Sequence, residues 1–367
     1  MNSSALSALH VHRREPASVR RLASVRCPGA EVSHARAGSA GAIDFEEARR
    51  RYLGEAERRL YRNESAGLLR EMIDYHLSAG GKRLRAILPA WVCHNLGGTA
   101  EEAIDLGVGL ELIHNATLAH DDIQDGDTHR RGRTTAWRRY GVAQAINLGD
   151  ALIFEAFARI ARAPAAPRLF EHISRALTRT VEGQAADLAQ QLPERRECPP
   201  SEREWMEMAR GKTGALLGAC VRAGAVAAGA DEALAESAAR YGEDIGLLFQ
   251  VQDDYLDLVG DKGRERRGSD LVEGKLSYPI VWALEHGAPA TVAPIRALLA
   301  RSRDARTWEM ADAALDALAR ANALDATADW LRAAAVAAEA HPLAAAVPGL
   351  AARCLAPVAH ALGLAPR

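Results

Sequence analysis

Residues 110–125 read LELIHNATLAHDDIQD, an apolar run that ends in three aspartates. The spacing of the apolar residues is typical of an α-helix, in which positions i and i+4 share one face and position i+1 lies beside them. Asp121, Asp122 and Asp125 are therefore predicted to form one acidic patch. Crowded carboxylates favour a bound cation, and oxygen ligands without His or Cys suit Mg²⁺. A solvent-exposed helix end without a metal is the alternative interpretation.

The same spacing recurs in FQVQDDYLDLVGD (residues 249–261), where Asp253, Asp254 and Asp257 again follow an apolar run at i, i+1 and i+4. Two solvent-exposed helix ends would rarely share this pattern by chance. In helical bundles, acidic helix faces can lie opposite each other across a cavity and hold metal ions between them. The repeat therefore favours a Mg²⁺ site over the solvent-exposed alternative.

The composition of the chain bounds its class. Its 367 residues are 48% hydrophobic and 26% charged, with a net charge of −2, and these are ordinary values for a globular protein. The near-neutral charge argues against a nucleic-acid partner. No apolar run reaches the length of about 18 residues that spans a bilayer, so no stable membrane insertion is predicted. Five scattered cysteines without a Cys-x-x-Cys pair favour a reducing compartment, and the predicted location is cytoplasmic.

The predicted fold class is all-α. From about residue 43 onward, Ala, Leu, Glu and Arg dominate with apolar residues at three-and-four spacing, which predicts one helical domain over 43–367 with almost no strands. Its alanine-rich end, from about residue 291, is predicted to serve packing. Residues 1–42 are rich in Arg, Ser, Ala and Gly and are predicted to be a disordered tail, with a transit peptide as the alternative. Clusters of Gly, Pro and charge predict helix breaks at 78–83, 95–100, 125–133, 192–200, 260–270 and 286–290.

Basic residues close to the breaks and acidic segments predict a polyphosphate ligand, because Arg and Lys bind phosphate oxygens that Mg²⁺ bridges to carboxylates. They are Lys82, Arg85, Arg130, Arg131, Lys212 and Lys275. Surface salt bridging is the alternative for each of them. The GKT at 211–213 does not indicate a nucleotide-binding loop, because the upstream glycine spacing and a preceding strand are missing.

These segments together resemble the trans-isoprenyl diphosphate synthases of the polyprenyl synthetase family, geranylgeranyl diphosphate synthases in particular. The resemblance covers about residues 75–285 and rests on motifs in the family's order: GGKRLR, HNATLAHDDIQD, RRGR, GDALIFEAF, GQAADL, KTGAL, FQVQDDYLD and GSDLVEGKLSYP. It implies a large helical bundle of the isoprenoid synthase type around a deep central cavity, and a homodimer. The implied reaction is the head-to-tail (1′-4) condensation of isopentenyl diphosphate with an allylic diphosphate.

The resemblance also implies roles for individual residues. The residues expected to hold Mg²⁺ on the allylic diphosphate are Asp121, Asp122, Asp125 and Asp253, with Asp254 and Asp257 in support. Contacts to the same diphosphate are assigned to Arg130, Lys212 and Gln250, with Lys275 as a further substrate-binding residue. The residues expected to bind isopentenyl diphosphate are Lys82, Arg85, His114 and Arg131. The region where a carbocation forms is assigned to Thr213, Gln184 and Phe249. A buried core histidine is the alternative for His114.

One position departs from the family pattern, because Glu265 stands where the family usually has a lysine. Lys262, Arg266 and Arg267 are the candidates to replace it. Two complete aspartate triads favour an active enzyme over a catalytically silent subunit, and a terpene cyclase would have no use for the basic residues assigned to isopentenyl diphosphate.

Product length is predicted from Ala116, at the fifth position before the first aspartate. Family members that stop at fifteen carbons usually carry an aromatic residue there. An alanine predicts twenty carbons or more, with geranylgeranyl diphosphate foremost and a longer-chain product as the alternative. Deeper floors of the product tunnel are predicted at Ile113, Leu110, Phe154 or Phe157.

Overall fold

The computed structural model describes residues 41–190, 192, 198–260 and 266–363. Helices dominate these residues, and the strands among them form a single two-residue hairpin. The all-α prediction is confirmed. Nearly all of the predicted tail (1–42), together with Lys262 and Glu265, lies outside the described residues.

The first part of the chain supplies seven of the described helices. They are α1 (Phe45–Leu60), α2 (Gly67–Leu77), α3 (Leu84–Asn95), α4 (Ala100–Asp125), α5 (Ala136–Tyr140), α6 (Val142–Ile160) and α7 (Ala166–Ala189). Between α4 and α5, strands β1 (His129–Arg130) and β2 (Arg133–Thr134) pair antiparallel, with Arg130 opposite Arg133.

The rest of the chain continues as helices and short turns. The helices are α8 (Glu202–Ala209), α9 (Ala215–Ala227), α10 (Glu232–Val259), α11 (Ser269–Glu273), α12 (Tyr278–His286), α13 (Pro289–Leu299), α14 (Trp308–Arg320), α15 (Ala323–Ala340) and α16 (Leu350–Leu355). A π-helical turn, Arg210–Gly214, joins α8 to α9. Three 3₁₀ turns span Arg303–Ala305, Pro342–Ala346 and Ala356–Val358.

The helix ends follow the local chemistry of the sequence. Helix α4 ends where Gly126 adopts a left-handed conformation, with φ of 72°, which glycine reaches without steric cost. Helix α10 begins at Asp231, whose side chain accepts a hydrogen bond from the amide of Leu234, as helix N-caps commonly do. Four of the predicted breaks, at 78–83, 95–100, 125–133 and 286–290, fall where one described helix ends and the next element begins. The breaks predicted at 192–200 and 260–270 lie partly outside the described residues.

Helices α4 and α10 are the two longest and both run through the core. Helix α4 packs against α3, α6 and α9, and α10 packs against α9 and α15. Helix α9 is buried on all sides from Ala215 to Val226, as expected for a helix without a polar face. None of the described helices is long and apolar enough to cross a membrane.

Candidate active site

A cavity of about 500 Å³ lies among α4, α7, α8, the π-helical turn and α10. It brings together residues that the sequence analysis selected from separate segments. These are Arg85, His114, Asp121, Asp125, Arg130, Gln184, Lys212, Thr213, Phe249, Gln250, Asp253, Asp254 and Lys275. Four other selected residues, Lys82, Asp122, Arg131 and Asp257, do not line it.

The first acidic face lies at the end of α4. Asp121 and Asp125 both line the cavity, whereas Asp122 is 1% exposed and accepts a hydrogen bond of 2.6 Å from Nε of Arg130. The pKa of Asp121 is raised to about 6, chiefly by burial; nearby Lys212 opposes the shift and Asp125 adds to it. The predicted patch is therefore divided, because position i+1 is turned by about 100° from position i in a helix.

The second acidic face lies near the end of α10. Asp253 and Asp254 line the cavity. Asp254 also accepts hydrogen bonds from the amide of Tyr278 (2.8 Å) and from Nε2 of Gln250 (3.1 Å). Asp257 lies away from the cavity and is 3% exposed. On this second face, therefore, two aspartates line the cavity and the third is buried away from it.

Asp257 fastens α11 to α10. Its carboxylate accepts from the hydroxyl of Ser269 at 2.6 Å and from the amide of Asp270 at 3.0 Å. Its backbone carbonyl accepts from the amide of Gly268 at 2.9 Å. Buried carboxylates with several donors of this kind stabilise local structure.

Two lysines bring positive charge to the cavity wall. Nζ of Lys212 lies 2.6 Å from Oδ2 of Asp187, and Nζ of Lys275 lies 2.8 Å from Oε2 of Glu273. Burial alone would lower the pKa of Lys212, but Asp187 raises it above its ordinary value. Burial acts in the same way on Lys275, whose pKa is raised chiefly by Asp270 and then by Glu273. Both ammonium groups therefore stay charged at neutral pH.

The π-helical turn explains how Lys212 and Thr213 reach the cavity. A Cβ atom on Gly183 of α7 would lie 2.2 Å from the backbone nitrogen of Lys212, so α7 approaches the turn closely only because this residue is glycine. The wider π turn interrupts the helical register between α8 and α9, a feature common at functional sites. It places Lys212 and Thr213 on the cavity wall.

Neutral groups line the wall between the two acidic faces. The hydroxyl of Thr213 donates to Oε1 of Gln250 at 2.8 Å, and Nε2 of Gln184 donates to Oε1 of Gln124 at 2.8 Å. Phe249 contributes an aromatic ring. Such groups offer oxygen dipoles and a π face to a cation, and none of them is a strong nucleophile.

A basic site adjoins this wall, formed by Arg85 at the start of α3 and His114 of α4. Burial lowers the pKa of His114 well below its ordinary value, and nearby Arg85, Arg131 and Arg130 lower it further. His114 is therefore neutral at pH 7 and can donate one hydrogen bond without adding charge. Arg85 and a neutral imidazole together suit an anion that accepts hydrogen bonds.

Two residues predicted for this basic site do not line the cavity. Lys82 is exposed, and its charge lowers the pKa of Cys354 in α16 against the stronger effect of burial. Arg131 donates a hydrogen bond to the carbonyl of Gly80 and lines a small adjoining pocket, which Arg130 also lines. Arg130 is thus the basic residue that joins the small pocket to the large cavity.

The apolar part of the cavity includes Leu118, Val181, Met208, Leu216 and Leu276. Ala116 is fully buried and does not line it, whereas the neighbouring Thr117 does. Ile113 and Leu110 are also buried without lining it. The prediction of a tunnel floor at Phe154 is wrong for a single chain, because this side chain is 73% exposed on the outside of α6.

No group of three or more His, Cys, Asp or Glu side chains within the described ranges is arranged to hold a metal ion by itself. Asp121 and Asp125 nevertheless face the cavity from the same side of α4, one turn apart. Mg²⁺ commonly takes one or two protein carboxylates and completes its shell with water and substrate phosphates. A divalent ion held here would therefore take its remaining oxygen ligands from water and from the phosphates of a bound substrate.

The family model for polyprenyl synthetases matches residues 66–317 of the chain, which contain every residue of the cavity wall. The chain belongs to the polyprenyl synthetase family. It is 41% identical over 214 residues to a short chain isoprenyl diphosphate synthase of Methanocaldococcus jannaschii, an alignment that covers 57% of this chain and 64% of the relative. It is 38% identical over 237 residues to a geranylgeranyl pyrophosphate synthase of Geoglobus acetivorans, covering 63% of this chain and 72% of the relative.

Solved structures agree in fold over a longer range than the sequence alignments. The structure of a polyprenyl synthase from Caulobacter crescentus CB15, complexed with calcium and isoprenyl diphosphate, superimposes with a TM-score of 0.74 at 27% identity. The match covers 86% of this chain and 98% of that one. The polyprenyl synthetase fold thus extends over most of the described residues.

The sequence analysis of this polyprenyl synthetase missed Asp187, which lines the cavity and pairs with Lys212. It follows Gln184 by three positions in GQAADL, and residues three apart share a helix face. That spacing was a usable signal once Gln184 had been selected. Asp270 also lines the cavity and was likewise not selected, although it lies in the motif GSDLVEGKLSYP.

Proposed function

We propose that the protein is a prenyltransferase that condenses isopentenyl diphosphate head-to-tail (1′-4) with an allylic diphosphate to give a linear trans-polyprenyl diphosphate. The observation that carries this proposal is the division of one cavity wall into acidic faces and a separate basic site. The acidic faces, with Lys212 and Lys275 beside them, suit a diphosphate that binds through metal ions. Arg85 and His114 suit a second diphosphate that binds without metal.

We propose Mg²⁺ as the cofactor, held by Asp121 and Asp125 on one face and by Asp253 on the other. The buried, mutually repelling carboxylates of Asp121 and Asp125 favour a cation. The calcium and isoprenyl diphosphate in the Caulobacter relative support a divalent ion beside this class of substrate. When bound, Mg²⁺ would supply positive charge to the oxygens of the leaving diphosphate.

The protein side chains can promote the proposed reaction in three ways. Lys212, Lys275 and Arg130 place positive charge where the leaving diphosphate develops negative charge. As the allylic C1–O bond breaks, Thr213, Gln250 and neighbouring neutral groups surround the cation without trapping it. Arg85 and His114 hold isopentenyl diphosphate so that its C4 forms the new bond to C1 of the allylic cation, after which its C2 loses a proton to the released diphosphate.

We propose a product of twenty carbons or longer, with geranylgeranyl diphosphate foremost. Small side chains one turn before Asp121, Ala116 and the cavity-lining Thr117, support an open path for a growing chain along α4. The apolar wall of the cavity continues from this point with Leu118 and Val181. A longer-chain product is the second candidate, because α4 carries no aromatic residue at position 116 or 117.

We propose that the enzyme is a homodimer that associates through α6 and α7. Phe154 is 73% exposed, Phe170 57% and Ile146 45%. The rings of Phe157 and Phe170 pack at 5.5 Å, which joins the two helices into one apolar surface. Val181 is 65% exposed and also lines the cavity, so a second copy on this surface would help to exclude water from the site. Exposed apolar patches of this kind favour protein interfaces.

A cytoplasmic location is proposed from the cysteines. Cys93, Cys198, Cys220 and Cys354 are free thiols in the described chain, and three of them are buried. Free, scattered cysteines are typical of reducing compartments.

The proposed activity is tested by incubating the protein with Mg²⁺, isotopically labelled isopentenyl diphosphate and allylic primers of five, ten and fifteen carbons. The products are dephosphorylated and separated by chromatography. The expected result is a labelled alcohol of twenty or more carbons that EDTA abolishes and an Asp121→Ala variant does not form. A catalytically silent subunit would give no labelled alcohol with any primer, and that outcome would refute the proposal.

A further inference from the structure

A buried ion pair lies behind the basic site and takes no part in the proposed chemistry. Arg83 is 3% exposed and Glu111 is 4% exposed. Nη1 of Arg83 lies 3.4 Å from Oε1 of Glu111. Charged side chains are rarely buried to this extent, and a buried pair gains little stability over an apolar one. The position of the pair therefore requires an explanation beyond stability.

Arg83 anchors the loop between α2 and α3. Its Nη2 donates to the carbonyl of Leu77, the last residue of α2, at 2.5 Å. Its backbone is left-handed, with φ of 51°, a conformation that costs energy for a residue other than glycine and persists only where the surroundings impose it. Arg83 is the N-cap residue of α3, so the same contacts fix how α3 begins and where Arg85, two positions later, is placed.

Glu111 provides the matching anchor on α4. A Cβ atom on Gly107 would lie 2.2 Å from the carbonyl of Ala86, so the first turn of α3 rests directly on α4, one helical turn before Glu111. Nδ2 of Asn115 donates to the carbonyl of Glu111 at 2.7 Å and lies 3.4 Å from its Oε1. His114 follows Glu111 by three positions and so lies on a neighbouring part of the same helix surface.

The charge of Glu111 acts on other arginines of this region. Burial lowers the pKa of Arg85, and Glu111 opposes that shift. Burial, Arg83 and Arg130 lower the pKa of Arg131, and Glu111 again opposes. Among the described residues, Nε of Arg85 has no hydrogen-bond acceptor. Arg85 thus lies within electrostatic range of Glu111 and lines the cavity, where its guanidinium can meet a ligand.

We propose that Glu111 is a positioning residue for the second diphosphate site. Its ion pair with Arg83 holds the α2–α3 loop against α4, so that Arg85 and His114 form one binding surface for the diphosphate of the acceptor substrate. The inference rests on the proposed function only for the identity of that substrate. The basic site itself can be tested with inorganic diphosphate.

The direction in which Glu111→Gln changes the affinity for diphosphate distinguishes a positioning role from a purely electrostatic one. Glu111→Gln removes a negative charge near Arg85, and electrostatics alone predicts that an anion then binds more tightly. Loss of positioning predicts the opposite result. We expect weaker binding, by about tenfold, because a charged hydrogen bond is lost from the support of the site.

The experiment is titration calorimetry with inorganic diphosphate in the presence of EDTA, which leaves the basic site as the place for an anion without metal. The variants are Glu111→Gln and Arg83→Lys, and Arg83→Lys keeps the charge but loses the guanidinium fork. The matched control is Asp105→Asn, also on α4, whose carboxylate lies 3.1 Å from Arg59 and 3.9 Å from Arg159, away from the cavity. Thermal unfolding is measured for every variant.

Weaker diphosphate binding by both test variants, with unchanged binding by the control, is the expected result. The KM for isopentenyl diphosphate should rise in parallel, while the KM for the allylic primer stays within about twofold. Unchanged or tighter diphosphate binding by Glu111→Gln overturns the inference even if the wild type is active. If the wild type binds diphosphate but condenses no substrate, the proposed function fails and the positioning role stands. If Glu111→Gln does not fold, Arg83→Lys alone decides between these outcomes.

Discussion

Helices α4 and α10 end in the same arrangement of aspartates but use it differently. On α4, Asp121 and Asp125 line the cavity, and Asp122 turns away to hold Arg130. On α10, Asp253 and Asp254 line the cavity, and Asp257 turns away to hold α11. The aspartate that does not line the cavity is the second of the triad on α4 and the third of the triad on α10.

The difference shows that spacing alone does not assign a role to an aspartate. Spacing determines which carboxylates lie near each other on a helix. The neighbouring elements then determine which of them can reach a ligand, because a donor in contact fixes the direction of a carboxylate. The hairpin provides that donor for α4, and α11 provides donors for α10. Equal motifs therefore predict unequal effects of mutation.

The largest expected effect comes from the first residue of each triad. Asp121→Ala and Asp253→Ala should each lower kcat by about 10²–10³-fold, because each removes electrostatic support for the leaving diphosphate at the cavity wall. Steady-state kinetics at saturating substrate measures this effect, and Mg²⁺ titration tests whether extra metal restores part of the rate. Asp150→Ala, an exposed position outside the cavity wall, serves as the control. Wild-type turnover in either cavity variant would contradict the metal assignment.

The second prediction separates the arginine held by the first acidic face from the arginine of the basic site. Arg85→Ala should raise the KM for isopentenyl diphosphate by about 10–100-fold with little change for the allylic primer, since a charged contact worth about 1.5–3 kcal/mol is lost at one site. Arg130→Ala should show the opposite preference. The measurement is the KM for each substrate with the other saturating. Equal losses for both substrates in both variants would show that the two diphosphates share their arginines.

The sequence predicted the cavity better than it predicted the supports around the cavity. Helical periodicity was sufficient for Asp121 and Asp125, which lie one turn apart on the same helix. It did not predict that Asp257, at the same place in the second triad, does not line the cavity. Lys82 illustrates the limit: it belongs to the same motif as Arg85, yet its side chain is exposed and does not line the cavity. The roles of Glu111 and Asp257 depend on contacts between elements distant in sequence, and periodicity within one helix carries no information on such contacts.

The third prediction concerns Asp257, the aspartate of the α10 triad that does not line the cavity. Asp257→Asn should lower the free energy of unfolding by about 1–3 kcal/mol, because an amide cannot satisfy both the hydroxyl of Ser269 and the amide of Asp270. It should lower kcat less than Asp253→Ala does. Chemical denaturation with both variants measures the stability, and the same preparations give kcat. A loss of kcat as large as that of Asp253→Ala, with unchanged stability, would place Asp257 among the metal ligands instead.

The smallest expected effect concerns the segments that precede the two acidic faces. Before Asp253, α10 presents to the cavity Phe249 and Gln250, and Gln250 is hydrogen-bonded to Thr213. Before Asp121, α4 offers Ala116 and Thr117, and the chain of the product is expected to pass there. Ala116→Phe should shorten the main product by one or more isoprene units, because a well-packed core cannot accept the added volume without narrowing the neighbouring space.

Thr117→Phe sharpens this last prediction, because Thr117 lines the cavity directly whereas Ala116 is fully buried beside it. If the path follows α4, Thr117→Phe should shorten the product at least as much as Ala116→Phe, and it should do so with a smaller loss of thermal stability. Chromatography of the dephosphorylated products measures the length, and thermal unfolding measures the stability. An unchanged product distribution in both variants would place the floor of the cavity on a helix other than α4. Farnesyl diphosphate as the main product of the wild type would contradict the predicted product length.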